Sequence, residues 1–349
     1  MEGQSIMKTK LLIYILISLM LGQLTVVNAQ EVDIPDDSVW SLAWSPDSTH
    51  IAAARYNGIV EIQSALTGLV EKTLQSGFIS QITAVAWSPD GTRIAGSNEL
   101  KSVFLWDTNT GLLIRTLQGQ ITDHITNLAW SSDSTFIAGV SQFDGKLQIW
   151  NADTGQLLID EWAGYLEGLD WIDTRIISAV ASGVVLFDSN TGEYIKDIGL
   201  QNVYIDSVAW SPDGNRVVSG GMDGVVRIWD ANASQEILVL SGHTLPVPSV
   251  DWSPDGSSVV SASLDGTVLI WNSTTGQLIK TIQVGAPLLS VKFSPNGNQL
   301  AYSGDVVGVG ETVTIIPAPT TVSSLILFAS TDDFLLYIDG RDADFRPKF

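Results

Sequence analysis

The 349-residue chain contains no cysteine and only three histidines, His50, His124 and His243. The first absence excludes disulfides, thiolate metal sites, a cysteine nucleophile and any lipid anchor attached to cysteine. The second excludes histidine-rich metal clusters. Positive charge is scarce as well: 17 Lys and Arg stand against 38 Asp and Glu, a formal net charge of −21. Such a chain repels the phosphate backbone that dominates nucleic-acid affinity, so no nucleic-acid partner is expected. Beyond residue 29 no apolar run reaches membrane-spanning length, and Val322–Phe328 is far too short. What is present is a chain that buries a core, with 45% apolar residues, 12 tryptophans and a mean hydropathy of +0.22.

Residues 1–29 have the layout of an export signal. Lys8 and Lys10 precede the apolar run Leu11–Gly22, and Val27-Asn28-Ala29 supplies the small residues of a cleavage site. The alternative is a membrane anchor retained by an uncleaved segment. Gln23, Thr25 and Asn28 dilute its second half and favour cleavage. The chain is therefore expected to be exported and free of the membrane after cleavage. Removing Glu2, Lys8 and Lys10 leaves the mature chain slightly more acidic.

The remainder repeats itself. An Ala/Asp-Trp-Ser-Pro-Asp-like element recurs at Trp44, Trp87, Trp130, Trp171, Trp210 and Trp252, with Phe293 in the seventh place, at spacings of 39–43 residues. A second element, an alternating apolar run ending in an aromatic, follows at Trp106, Trp150, Phe187, Trp229 and Trp271; Gln63 and Ile316 stand there in the first and seventh repeats. Fixed self-similarity at this period, with apolar residues alternating by two, is the pattern of β-propeller blades and not of helical repeats. Ser-Pro-Asp-Gly stretches mark a tight turn between first and second strands, and Asp-Gly or Asn-Gly pairs mark the hairpin between second and third. The fold expected is all-β: a seven-bladed β-propeller of four-stranded antiparallel blades over residues 30–320. Residues 321–349 are read as a closing strand, a cap or a partial eighth repeat, and Gln30–Ile34 as a strand that completes the last blade.

These elements resemble the WD-repeat family, named for a Trp-Asp pair that stands here at Trp106-Asp107 and Trp229-Asp230. The resemblance implies a structural tetrad of loop His, second-strand Ser, turn Asp and third-strand Trp, complete in the sixth repeat as His243, Ser261, Asp265 and Trp271. The fifth repeat keeps Ser219, Asp223 and Trp229 but has Gln201 in place of the His.

No catalytic constellation emerges. His243, Ser261 and Asp265 superficially match a hydrolytic triad, but the same residues satisfy the tetrad. The carboxylates Asp47, Asp90, Asp213 and Asp255 sit one per turn in separate repeats, which suits turn stabilisation rather than a metal ring. No cofactor and no metal are expected. The resemblance implies a non-enzymatic scaffold for protein–protein interaction, acting through loops that precede each first strand and join the second to the third. Those loops place Trp40, Tyr56, His124, Phe143, Tyr165, Glu167, Tyr204 and Asp206 on the rim, a composition suited to a protein or peptide partner of neutral or basic character. The competing reading is an extracytoplasmic propeller enzyme or small-ligand binder using Asp123, His124, Glu167 and Asp206 at the channel mouth. Three or more convergent His, Asp or Glu in the channel would favour it.

Overall fold

The computed structural model describes residues 39–77, 80–119, 124–142, 144–200, 203–304 and 313–318, and the strands 326–329, 334–338 and 341–343. The segment 1–29 read as an export signal, the strand expected over Gln30–Ile34, and Asp123, Phe143 and Gln201 lie outside these residues. Among the described residues every regular element is a β-strand, and no helix is long and apolar enough to cross a membrane.

Blade 1 sets the pattern. Strand β1 (Val39–Trp44) pairs antiparallel with β2 (His50–Arg55), β2 with β3 (Ile59–Ser64) and β3 with β4 (Val70–Gln75). Blades at 82–118, 125–162, 166–200, 205–241 and 249–283 repeat this four-stranded meander, and blade 7, at 288–317, has three strands among the described residues. The strand Ile326–Ala329 pairs with Phe334–Ile338, and that strand with Arg341–Ala343, in a separate three-stranded sheet. Among the described residues, blade 7 and this small sheet share no strand pairing.

The Ser-x-Asp turns explain why each first strand reverses where it does. In blade 1, Ser45 Oγ donates to Asp47 Oδ1 over 2.6 Å, and the same oxygen accepts the Thr49 N–H over 3.0 Å. Such bonds hold Asp47, Asp133, Asp213 and Asp255 below the ordinary carboxylate range, the serine hydroxyl contributing most. The turn closes in the left-handed region, at Gly91, Gly214, Gly256 and Gly297 with φ between 66° and 77°.

The core lies between blades. One buried cluster joins Ala84, Ala95 and Leu105 of blade 2 to Leu128, Trp130 and Trp150 of blade 3; another joins Leu42, Trp44 and Ile51 of blade 1 to Ala301 of blade 7. Arginines seal these seams. Arg93 lies 5.1 Å over the ring of Trp130, Arg175 4.8 Å over Trp210 and Arg216 4.7 Å over Trp252. On the outer strands, Lys72 Nζ donates to the Thr108 and Asn109 carbonyls of the next blade, and Arg115 to those of Asp153 and Thr154. Much of the scarce positive charge is thus engaged between blades.

Candidate functional site

The inner strands surround a channel holding a cavity of about 470 Å³. Its upper level is set by a repeated irregularity. Antiparallel register breaks between Val39 and Ser41, Ile82 and Ala84, Ile205 and Ser207, and Leu288 and Ser290, and likewise in blades 3 and 4. A bulge inserts one unpaired residue and re-aims its side chain. The residues so placed, four before each repeat aromatic, are Trp40, Thr83, Thr126, Glu167, Asp206 and Leu289, with Pro248 at the equivalent point of blade 6; all seven line the cavity.

Three residues further along each strand a second level contains Ala43, Ala86 and Ala129, but Asp170, Asp251 and Lys292 in blades 4, 6 and 7. Asp170 accepts the Trp171 N–H over 2.8 Å and the N–H of Trp210 in the next blade over 2.7 Å. Burial raises its carboxyl to about 6. Asp251 makes the corresponding bond to Phe293 N over 2.8 Å and lies 3.7 Å from Lys292 Nζ; burial raises it too, against the pull of that ammonium. These carboxylates tie neighbouring inner strands together.

Glu167 is the centre of a buried polar cluster. Its Oε1 accepts the Tyr204 hydroxyl over 3.1 Å and an N–H of Gln142, and the same Gln142 nitrogen lies within hydrogen-bonding reach of the Tyr165 and Tyr204 hydroxyls. Tyr165 and Tyr204 meet edge to face with centroids 5.3 Å apart. Burial, and then the Glu167 charge, push both phenols well above their ordinary range, so both remain protonated donors.

The residues expected on the rim divide accordingly. Trp40, Glu167 and Asp206 line the channel, whereas Tyr165 and Tyr204 support Glu167 from beside it. Tyr204 is 8% exposed and His124 6%, so neither is an open contact surface, and Tyr56 is half-buried away from the cavity. Gln142, Asp170, Asp251 and Lys292 were not anticipated. Gln142 had a signal: it stands twelve residues after Trp130, as Tyr56, Glu99, Met222 and Leu264 stand after their own tryptophans. The neighbouring Phe143 is one residue out of that register.

Four carboxylates therefore line the channel, more than the three that would favour catalysis. They are split between two levels, and at least three of them already hold protein N–H or O–H groups. Among the described residues no three His, Cys, Asp or Glu come close enough to hold a metal ion. The tetrad of blade 6 is structural in the same sense. Trp271 Nε1 donates to Ser261 Oγ over 3.0 Å, Ser261 lies 2.7 Å from His243 Nε2, and His243 Nδ1 lies 3.1 Å from Asp265 Oδ2. The serine is fully buried, and Gly242 leaves room for the indole: a Cβ there would fall 2.8 Å from the Trp271 ring. In blade 5, Trp229 keeps its bond to Ser219 over 2.9 Å, but Asp223 pairs with Arg227 over 2.6 Å.

Closed rings of antiparallel four-stranded blades around an open channel define the β-propeller class. The family model for the WD domain, G-beta repeat, matches residues 30–62, 71–107, 111–151, 200–230 and 234–272, just over half of the chain, and the chain belongs to the WD40 repeat family. Such propellers are generally non-enzymatic scaffolds for protein interaction. The solved structure titled "Structure of U3-55K" superposes with a TM-score of 0.74 at 19% identity, covering 81% of this chain and 96% of that one, and shares its fold. No curated protein matches the sequence. Blades 4 and 7, which the family model leaves out, are those in which Ile172-Asp173 and Phe293 replace parts of the repeat element.

Proposed function

We propose that this chain is an exported, non-enzymatic propeller that captures a protein or peptide partner over the mouth of its channel. The observation that carries the reading is the bulge repeated in the inner strands, which turns Trp40, Glu167, Asp206 and Leu289 into one cavity instead of leaving them in the ladder. A concave site with an aromatic anchor, apolar walls and a few charges is how partner surfaces are commonly held. The acidic balance, with much of the basic charge engaged at blade seams, favours a neutral or basic partner. Export rests on the basic and apolar layout of residues 1–29; the first residue of the mature chain tests it, Gln30 being expected and an intact Leu11–Gly22 run contradicting it. The capture reading is tested by recovering partners on wild type and on Trp40→Ala/Leu289→Ala. Loss of the same partner from the variant, at unchanged folding, is expected, and equal recovery refutes the reading.

A further inference from the structure

The two Asn-Gly pairs of the chain, Asn57-Gly58 and Asn296-Gly297, differ in how firmly the fold holds them. Asparagine before glycine is open to a reaction of the chain with itself, because glycine has no side chain to shield its nitrogen or restrict its backbone. The glycine nitrogen loses its proton and attacks the asparagine Cγ, ammonia leaves, and a five-membered succinimide closes. Water then opens that ring at either carbonyl, leaving aspartate or its isoaspartyl isomer. Both asparagines are exposed, so access to water does not separate them.

Hydrogen bonding does. Asn296 Oδ1 accepts the Ser294 hydroxyl over 2.8 Å and the Asn298 N–H over 2.9 Å, and Gly297 N–H donates to the Ser294 carbonyl over 2.8 Å. Ring closure there must break the bonds that fix both the carboxamide and the attacking nitrogen. Asn57 Oδ1 accepts the Ile59 N–H over 3.3 Å, and Gly58 N–H reaches the Arg55 carbonyl over 3.2 Å, both at the long limit for such bonds. The surroundings of Asn57 also favour an amide over a carboxylate. At the matching hairpin position of blade 5, Asp223 Oδ1 accepts the Val225 N–H over 3.1 Å and Oδ2 takes Arg227, four residues on, over 2.6 Å. Four residues after Asn57 stands Glu61 instead, paired with Arg55 over 2.8 Å. A carboxylate at position 57 faces a like charge and competes with it for one guanidinium.

We propose that Asn57 is a self-modification site, converted in the folded protein to aspartate and isoaspartate ahead of Asn296, and that the new carboxylate loosens its hairpin against Glu61. The conversion consumes water and releases ammonia, with no oxidant and no cofactor. Arg55 pairs with Val39, the residue before Trp40, so the altered hairpin borders the channel mouth. The proposal goes beyond the capture reading and does not depend on it.

The test is incubation of the purified protein at mildly alkaline pH, native and in urea, with peptide mapping by mass spectrometry to follow loss of each amide. In the native protein Asn57 should convert about tenfold or more faster than Asn296, the difference that two firm hydrogen bonds make, and in urea the two rates should converge. Equal rates in the native protein, or an Asn57 that stays intact until urea is added, overturn the proposal. Ser294→Ala frees Asn296 Oδ1 from one donor and should narrow the gap; an unchanged gap contradicts hydrogen bonding as its cause. Asn57→Asp reproduces one product. Its denaturant midpoint should fall below that of wild type, and the deficit should vanish in a Glu61→Gln background. Equal midpoints with Glu61 present overturn the loosening of the hairpin.

Discussion

The indole Nε1 of Trp44 donates to the backbone carbonyl of Lys292 over 3.1 Å, across 248 residues of chain. It repeats at the ring closure a bond made within the ring by Trp130 to Ala86 and by Trp252 to Ala209. Blades 1 and 7 are not consecutive in the chain, and among the described residues their seam is held by the apolar cluster around Ala301 and by such contacts, including Asn296 N to Ser48 Oγ over 3.0 Å and Ser303 Oγ to the Val39 carbonyl over 3.3 Å. Trp44→Phe and Trp130→Phe should each cost about 1–2 kcal/mol in urea unfolding. Hydrogen exchange should then separate them: Trp44→Phe opens the inner strands of blades 1 and 7 locally, whereas Trp130→Phe does not open the ring.

Ser261→Ala removes the acceptor of the Trp271 indole and the partner of His243 Nε2 together, in a fully buried position. Leaving both unsatisfied should cost about 2–4 kcal/mol. In blade 2 Gly96 stands at the position of Ser261, with Ser97 one residue on, and the Trp106 indole there bonds the Gln75 carbonyl over 3.0 Å. Ser97→Ala spares that indole and should cost clearly less in the same thermal melts.

Two buried groups give stability opposite pH dependences. Burial lowers His243 below its ordinary 6.5 in spite of Asp265, so the unfolded chain takes up a proton that the fold refuses, and stability is lost as pH falls below 6.5. Burial raises Asp170 from 3.8 to about 6, so between those values the fold holds the extra proton, and this contribution is lost as pH rises through 6. Wild type should therefore gain stability relative to Asp170→Asn as pH falls from 7 towards 4. A carboxyl NMR titration should place the Asp170 midpoint near 6, and a midpoint at the ordinary value would contradict its burial beside Asp251.

Arg216 stacks on Trp252 and donates to the Ser273 and Gly256 carbonyls over 2.9 and 3.3 Å, joining blades 5 and 6. Arg216→Ala should cost about 1–3 kcal/mol. Arg216→Lys should recover only part of that, because an ammonium cannot stack and reach both carbonyls at once. Denaturant midpoints of the three proteins provide the check.

The fold was legible because each repeat has its own tryptophan, and the aromatic spacing fixes both blade number and register. The tetrad of blade 6 was legible residue by residue for the same reason. The channel was half legible. Positions four residues before each aromatic named Trp40, Glu167 and Asp206, yet nothing in a linear reading shows that a bulge turns them inward, since bulges are set by pairing with the next strand. Asp170, Asp251 and Lys292 were visible as the departures from Ala before Trp171, Trp252 and Phe293, but their closeness depends on ring closure. Phe143 drew attention as an aromatic, while the register position belongs to Gln142, the residue that reaches Glu167.

The outer strands offer the rival surface. Leu112, Leu278, Ile279 and Trp162 are 67%, 49%, 45% and 77% exposed on the circumference, far from the channel. A photoreactive phenylalanine placed at Leu289 in the mouth, or at Leu278 on the outer strand of blade 6, distinguishes the two directly when the protein is illuminated in extract of its source cells. Capture over the mouth predicts a discrete crosslinked partner from position 289, abolished by Trp40→Ala, and none from position 278. A discrete adduct from 278 with none from 289 would contradict it.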